Sequence, residues 1–407
     1  MPIRVACAFL LVALVTSSPL ARAAEPFSLT ASGGGTTVTA TGDNIVGLAG
    51  NLIDAEDQFA ALENENISGT LRYGGLNNAV LFSRNAAGTN ATLTIPSTGF
   101  SRTFSAANED ELEDEIRDFF EQEGADAYAD FLAEINKQTS LGVNDGNPLA
   151  TTALLADMSF YRFGFITRRP GDTSIPLPTG LDLRVSGGVS DADAGNDDDE
   201  ELSGSFASLG LGASFRFGDR VALTWANTFR YREVEGAAIY QYGTNLALPI
   251  ALIPGNEGGL SWRIAPAFVG GFGGSWDLAA GGILVGGQIT NSVSLHGGGW
   301  TLTMGNQIGI YEGVPIDVSD FRFETETSQV IVKNGLQIVR DLGDNAFIDA
   351  GVAYTNLLDD AFVEDYFSPS VGVGVRLGGS VLRIGYHGDI ADVFTSHGAN
   401  ASLVFSY

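Results

Sequence analysis

From about residue 181 the chain alternates. In TLTMGNQIGIY, Leu302, Met304, Ile308 and Ile310 share one parity, and Thr301, Thr303, Gln307 and Tyr311 take the other. QVIVKNGLQIV sets Val330, Val332, Leu336 and Ile338 against Gln329, Lys333 and Gln337. VALTWANTFRY sets Val221, Leu223, Trp225, Phe229 and Tyr231 against Thr224, Thr228 and Arg230. Successive side chains of a strand leave from opposite faces, so this pattern predicts strands with one apolar and one polar side. Twelve such segments occur, at about 182–190, 203–217, 221–233, 237–252, 260–273, 277–294, 300–312, 328–341, 346–358, 366–378, 380–391 and 397–407. Most match or exceed the roughly 9–11 residues that cross a bilayer at a tilt. Strands of soluble sandwiches are shorter, at about 5–6 residues.

The connections alternate too. Gly218-Asp219, His296 to Gly299, Leu342 to Asn345 and Gly378-Gly379 are tight. Between them fall longer, acidic stretches at 191–201, 314–327, 357–365 and 389–397. Short turns at one rim and longer loops at the other describe a transmembrane antiparallel β-barrel of about 12 strands. Two connections fit less well: 253–259 is long for a turn, and 274–277 is short for an outer loop.

Residues 24–157 follow other periods. Short β-like runs such as TTVTA, GTLRY and ATLTI lie within 27–41 and 67–96, and 44–62 reads as a helix. Then comes NEDELEDEIRDFFEQEGADAYADFLAEINK, 108–137. Asn108 is a good N-cap, Glu111 completes a capping box, and acids crowd the first turn. Leu112, Ile116, Phe119, Phe120, Phe131, Leu132 and Ile135 recur at helical spacing, and Gly124 is expected to break the helix. A polar segment and a short helix, 149–158, follow, and a Pro-rich linker ends at residue 180. The expected organisation is a segment 1–23, an α+β module at 24–157, a linker at 158–180 and the barrel at 181–407.

The first segment has the three parts of a signal peptide: Arg4, an apolar run from Val5 to Val15, and Ala21-Arg22-Ala23 as cleavage site. The one cysteine, Cys7, lies in it, so no disulfide or cysteine metal site is expected after cleavage. The formal net charge is −28, which speaks against nucleic acid as a partner. Mean hydropathy is nevertheless +0.12. An apolar surface turned to lipid accounts for both. No cofactor and no metal are expected. The acidic stretch 191–201 lacks the spacing of a calcium loop. His296, His387 and His397 have no Ser or Cys nucleophile marked by a nearby motif, so no catalytic residue is assigned.

The positions opposite the apolar face place Arg184, Arg216, Arg230, Arg232, Arg263, Lys333, Arg376 and Arg383 in the lumen. One reading is an anion-attracting pore. The other is structural: these cations pair with inward Asp349 and Asp389, or with an acidic segment packed inside. Between 109 and 134 there are twelve acids and one base, Arg117. The specific expectation is that 108–157 plugs or caps the lumen, its acids facing Arg230, Arg263 or Arg383.

Residues 181–407 resemble the Gram-negative outer-membrane β-barrel proteins. Gly398, Leu403, Phe405 and Tyr407 resemble the C-terminal signal read by the barrel assembly machinery. The resemblance implies outer-membrane lipid, lipopolysaccharide and that machinery as partners. A helix ahead of twelve strands is also similar to an autotransporter translocator, although 24–107 is short for a passenger. The expected functions are a passive pore for small polar, even anionic, solutes gated by the module, an autotransporter-like translocator, or a closed barrel with a structural or adhesive role. The module is expected in the periplasm or the lumen.

Overall fold

The computed structural model describes residues 27–405 apart from 43, 45–46, 49–50, 52–55, 63, 75, 123, 166–179, 194–200, 255–258, 315, 319–320 and 324–326. The segment 1–23, most of the acidic stretch 191–201, most of the Pro-rich linker and Tyr407 lie outside the described residues.

The module is a six-stranded antiparallel sheet with helices on it. Its strands are β1 (Phe27–Gly33), β2 (Thr36–Gly42), β3 (Ile67–Tyr73), β4 (Leu76–Arg84), β5 (Asn90–Ile95) and β6 (Phe100–Ser105), in the order β2-β1-β3-β4-β5-β6. Of the helix expected over 44–62, the described residues show helical backbone at 47–48, 51 and Glu56–Phe59, followed by a tighter turn at Ala60–Leu62. Asn44 caps its start: its Oδ1 accepts the Gly47 N–H at 2.6 Å and its carbonyl the Leu48 N–H at 2.9 Å. Helix α1 (Glu109–Gln122) opens on the capping box: the Glu111 N–H donates to Asn108 Oδ1, and Asn108 Nδ2 donates to Glu111 Oε1, each at 3.0 Å. Its apolar stripe, Leu112 and Phe119, packs on Phe104 of the sheet. Helix α2 (Gly124–Gln138) begins at the expected break.

The barrel consists of β7 (Gly180–Asp193), β8 (Glu201–Phe217), β9 (Val221–Val234), β10 (Ala237–Ala247), β11 (Ile250–Ile253), β12 (Leu260–Ser275), β13 (Ala280–Gly297), β14 (Trp300–Val314), β17 (Ser328–Asp341), β18 (Ala346–Leu357), β19 (Asp365–Leu377), β20 (Ser380–Ile390) and β21 (Phe394–Phe405). A small hairpin, β15 (Ile316–Val318) and β16 (Phe321–Phe323), stands on the β14–β17 connection. Pieces β10 and β11 are one wall strand interrupted at Leu248-Pro249, because proline cannot donate to the ladder. Every neighbour is antiparallel, and β21 pairs with β7 from Phe394↔Ala192 to Phe405↔Leu181, closing a ring of twelve strands.

The parity of the sequence is the parity of the wall. Leu209, Leu211, Trp225, Leu246, Phe268, Ile289, Ile308, Leu336, Val373 and Ile384 are exposed on the outside. Phe217, Trp262, Trp300 and Phe405 ring the tight-turn end, and Tyr240, Phe272, Phe367 and Tyr386 ring the other. An apolar band between two aromatic girdles on a closed barrel is an outer-membrane wall, since closure leaves no unpaired backbone facing lipid. Among the described residues no helix is long and apolar enough to cross a membrane.

The tight-turn rim carries Gly218, Gly298-Gly299, Gly343 and Gly378, all at positive φ. Gly298 and Gly299, at φ 58° and 74°, form the two-residue turn whose twist suits a hairpin. His296 therefore falls at the end of β13 rather than in the turn. It is buried, with Ser261 Oγ at 3.0 Å from Nε2 and Thr301 Oγ1 at 3.1 Å from Nδ1.

The module sits on the opposite rim, the one that carries the longer connections. Phe131 and Ile135 of α2 join Leu202, Val234, Ala237, Ile239 and Leu278 of the barrel in one apolar cluster. The Tyr73 hydroxyl donates to the Leu278 carbonyl at 2.6 Å, and the Tyr128 hydroxyl to the Ala279 carbonyl at 2.8 Å. The two short loop-rim connections, β9–β10 and β12–β13, thus form part of the seat.

Candidate functional site

Below α2 the chain enters the barrel. Residues 139–150 fold into a compact, buried loop, and helix α3 (Thr151–Ser159) follows it. A wide helical turn, Phe160–Gly164, carries the chain on past Phe165. Every residue of α3 except Asp157 is buried, as a helix needs when a wall surrounds it. Its N-terminus has no side-chain cap. Instead the Thr151 and Thr152 N–H groups donate to the Val143 and Asn144 carbonyls at 3.1 and 2.8 Å.

The wall is shaped for this segment. Glycines stand where it comes nearest. A Cβ on Gly243 would lie 2.7 Å from Met158 Sδ, and one on Gly305 would lie 2.7 Å from the Gly164 carbonyl oxygen. The backbone clash makes glycine a requirement at 305, whereas at 243 the flexible Met158 side chain would have to shift.

Inward polar side chains then hold the segment level by level. At the loop rim, Arg232 donates to the Ser140 and Gly142 carbonyls and to Asn147 Oδ1. Gln241 Nε2 donates to the Val143 and Leu149 carbonyls at 3.1 and 2.9 Å. Arg230 donates to the Leu149 carbonyl at 3.3 Å. At mid-height Gln288 Nε2 donates to Ser159 Oγ at 2.6 Å, and Gln307 Nε2 to the Ala156 carbonyl at 3.0 Å. Tyr311 donates to Gln288 Oε1 at 2.8 Å and fixes its amide. Lys333 Nζ lies 2.5 Å from Asp157 Oδ1 and is 1% exposed, among the rings of Phe160, Tyr161 and Tyr366. Nearer the turn rim, Arg263 donates to the Phe163 carbonyl, a cation at the C-terminal end of helical backbone. Arg162 of the segment reaches Asp182 of β7 at 2.7 Å.

The eight basic positions singled out from the sequence thus take different roles. Arg230, Arg232, Arg263 and Lys333 bind the segment. Arg383 makes a two-pronged pair with Asp349, at 2.8 and 2.7 Å. Arg376 reaches Asp341 at 3.3 Å, near the turn rim. Arg184 lies 3.6 Å from Asp182, and Arg216 is exposed at the turn-rim end of β8.

The expected pairing with the acidic helix is not found. Helix α1 lies on the module's sheet, Glu109 pairs with Arg84, and α2 packs on the rim. Arg230, Arg232 and Arg263 meet backbone carbonyls of 139–163 instead. Twelve acids are too strongly solvated to enter a lumen with few cations to spare, whereas an apolar helix with carbonyl-rich ends enters readily. Of the proposed assembly signal, Leu403 shares the outward parity of Phe405, which is exposed. Gly398 faces inward, where a Cβ would lie 2.8 Å from the His387 ring.

The residues the sequence reading missed are Ser140, Asn147, Gln241, Gln288, Gln307 and Tyr311. A signal was present: Gln241, Gln288 and Gln307 are large amides of inward parity. Space remains beside α3, a cavity of about 220 Å³ against β7, β8, β9, β20 and β21. Among the described residues no cluster of His, Cys, Asp or Glu has the makings of a metal site.

No family model matches this sequence. No curated protein matches it either. Among solved structures it is similar to the translocator domain of the autotransporter NalP from Neisseria meningitidis, at 13% identity and a TM-score of 0.44, over 63% of this chain and 97% of that one. It is also similar to the transport unit of the autotransporter AIDA-I from Escherichia coli, at 10% identity and a TM-score of 0.37, over 63% and 98%. An outer membrane channel from Pseudomonas putida F1 shares 14% identity with a TM-score of 0.40, over 59% and 100%.

Proposed function

We propose that this chain is an outer-membrane protein that anchors and presents its own N-terminal module. The barrel closes around residues 139–165 as an internal tether and holds 27–138 at its loop rim. One observation carries this reading: the path of the chain. It leaves the module at the rim with the longer connections, descends through the lumen, and starts β7 at the tight-turn rim. In outer-membrane barrels the longer loops face outward and the short turns face the periplasm. That orientation puts the module outside the cell, with the layout of an autotransporter-like translocator and the module in the passenger's place. It departs from the module expected in the periplasm or the lumen.

The passive pore for small polar solutes, favoured by the sequence, is less well supported. Its predicted lumen cations are largely engaged with the tether, and α3 occupies the path a solute would take. No catalytic chemistry is proposed: the Ser261 hydroxyl lies 3.0 Å from His296 Nε2, but both residues are buried in the wall at the tight-turn rim, away from the cavity beside α3.

The test is an epitope inserted in the exposed β1–β2 turn at Gly34-Gly35, read by antibody on intact cells. Labelling without permeabilisation is the expected result. Labelling only after the outer membrane is opened would overturn the reading. In planar bilayers the full chain should show little steady conductance; a large, constant conductance would restore the pore.

A further inference from the structure

The cavity beside α3 lies between the tether and the wall, and of its lining Arg230 and Asp157 also take part in holding the tether. Its apolar side is the segment, through Leu149, Leu154 and Met158, and its polar side is the barrel wall. On that wall Arg230 is 8% exposed, and its Nε has no hydrogen-bond partner. The Arg184 guanidinium shares Asp182 with Arg162, its Nε 3.6 Å from Oδ1, and among the described residues this Nε likewise makes no hydrogen bond. A third donor follows from a relay. Arg383 donates to Asn400 Oδ1 at 2.8 Å, which fixes the Asn400 amide. Its Nδ2 must then donate to His387 Nδ1, 3.2 Å away. A neutral imidazole that accepts at Nδ1 carries its proton at Nε2. No partner at Nε2 is found among the described residues.

The carboxylates on the same cavity are already engaged. Asp157 is held by Lys333, and Asp389 accepts from Ser368 at 2.7 Å and Ser396 at 2.9 Å. The unused capacity on the polar side therefore lies in donors, two of them cationic. Guanidinium groups match carboxylate and phosphate oxygens in charge and geometry.

We propose that this cavity binds a small organic anion, its carboxylate or phosphate group held by Arg184, Arg230 and His387 and its short apolar body resting on Leu149, Leu154 and Met158. At about 220 Å³ the space is below the roughly 300–1,000 Å³ of drug-sized sites, which restricts the ligand to small ones. The site exists only with the tether in place, because Leu149, Leu154 and Met158 of the tether form its apolar side. Occupancy would bridge tether and wall and so stabilise the closed barrel. The inference concerns the lumen alone and stands whichever way the module faces.

The test uses the purified full chain in detergent, titrated calorimetrically with benzoate, with the neutral isostere benzamide and with inorganic phosphate. Saturable benzoate binding without benzamide binding is expected. Arg184→Gln, at a half-buried position, should weaken benzoate by about tenfold or more. Ser208→Phe, which fills the cavity from the wall, should abolish binding without removing a charge. Arg117→Gln, on the exposed face of α1, should change nothing. Equal binding of benzamide, or unchanged benzoate affinity in both Arg184→Gln and Ser208→Phe, would overturn the site. Phosphate binding with none of benzoate would overturn the organic half of the assignment.

Discussion

The module and the barrel bury opposite chemistries. In the module the buried side chains are Phe27, Leu62, Tyr73, Phe104 and Phe131, and the polar ones face out. In the barrel the buried ones include Thr224, Arg232, Gln241, Thr290, Gln307, Lys333 and Asp349, while Leu, Ile, Val and aromatic residues cover the surface. One chain thus folds against two solvents. Water drives the module's apolar residues together. Lipid offers no such drive to the wall, so the wall relies on its hydrogen-bonded ladder and on polar contacts across the lumen. The tether belongs to both regimes: α3 is apolar like the module, but its attachments are polar.

The sharpest way to break this comparison is to remove a buried charge from the lumen. Lys333→Ala leaves Asp157, a quarter exposed, without its partner and should cost about 3 kcal/mol, the low end for breaking a buried pair. Heat-modifiability of the folded band on gels will show it as a lower unfolding temperature. Adding Asp157→Asn to the same chain should recover much of the loss. If Lys333→Ala behaves as wild type, the lumen contacts are not what holds the tether.

The outer face offers the next largest effect. Leu211→Arg, at mid-height on β8, should destabilise the barrel by about 2–4 kcal/mol in lipid. Arg117→Leu, on the exposed face of α1, should change stability little. Refolding equilibria into vesicles separate the two. Equal effects would mean that the outer face of β8 does not meet lipid.

Filling the groove comes third. Gly305→Leu places side-chain atoms where Gly164 runs, and should cost about 1–3 kcal/mol by overpacking. Its informative readout is conductance. A tether forced out of place should give intermittent openings absent from wild type. A silent variant would mean that the segment tolerates displacement.

The smallest effect concerns Asp145, in the loop where the tether leaves the module. Burial pushes its carboxyl up to about 6, against hydrogen bonds from Thr327 and Asn136 that favour the charged form. A carboxyl raised in the fold binds its proton more tightly there than when unfolded. The fold therefore loses stability as pH rises from about 4 through 6. Asp145→Asn mimics the protonated form, so it should raise the unfolding temperature by a few degrees at pH 7.5 and by nothing near pH 4. A constant difference at all pH values would assign the effect to something other than ionisation.

Much of this was legible in the sequence, and for a definite reason. Leu302, Met304, Ile308 and Ile310 alternate with Thr301, Thr303, Gln307 and Tyr311 because each strand has lipid on one side and lumen on the other. The strand ends were also close, since Gly218, Gly298 and Gly378 mark turns by their backbone freedom. The break before α2 and the Asn108–Glu111 box were readable because caps are local. The helix expected over 44–62 was readable in the same way, from its Asn44 cap, and the described residues there are helical at 47–48, 51 and Glu56–Phe59. The acidic plug failed: charge complementarity named a partner for Arg230 and Arg263 without considering what it costs to desolvate twelve carboxylates.

By itself, then, the sequence determined the number of strands, their register of faces and the membrane-facing surface. Those depend on local period and on which solvent each side chain prefers. Only the tertiary structure decided which segment enters the lumen, that Arg230, Arg232 and Arg263 hold carbonyls rather than carboxylates, and on which rim the module rests. These depend on contacts between residues far apart in the chain, such as Tyr73 with Leu278, 205 positions away, whose energies no local pattern encodes.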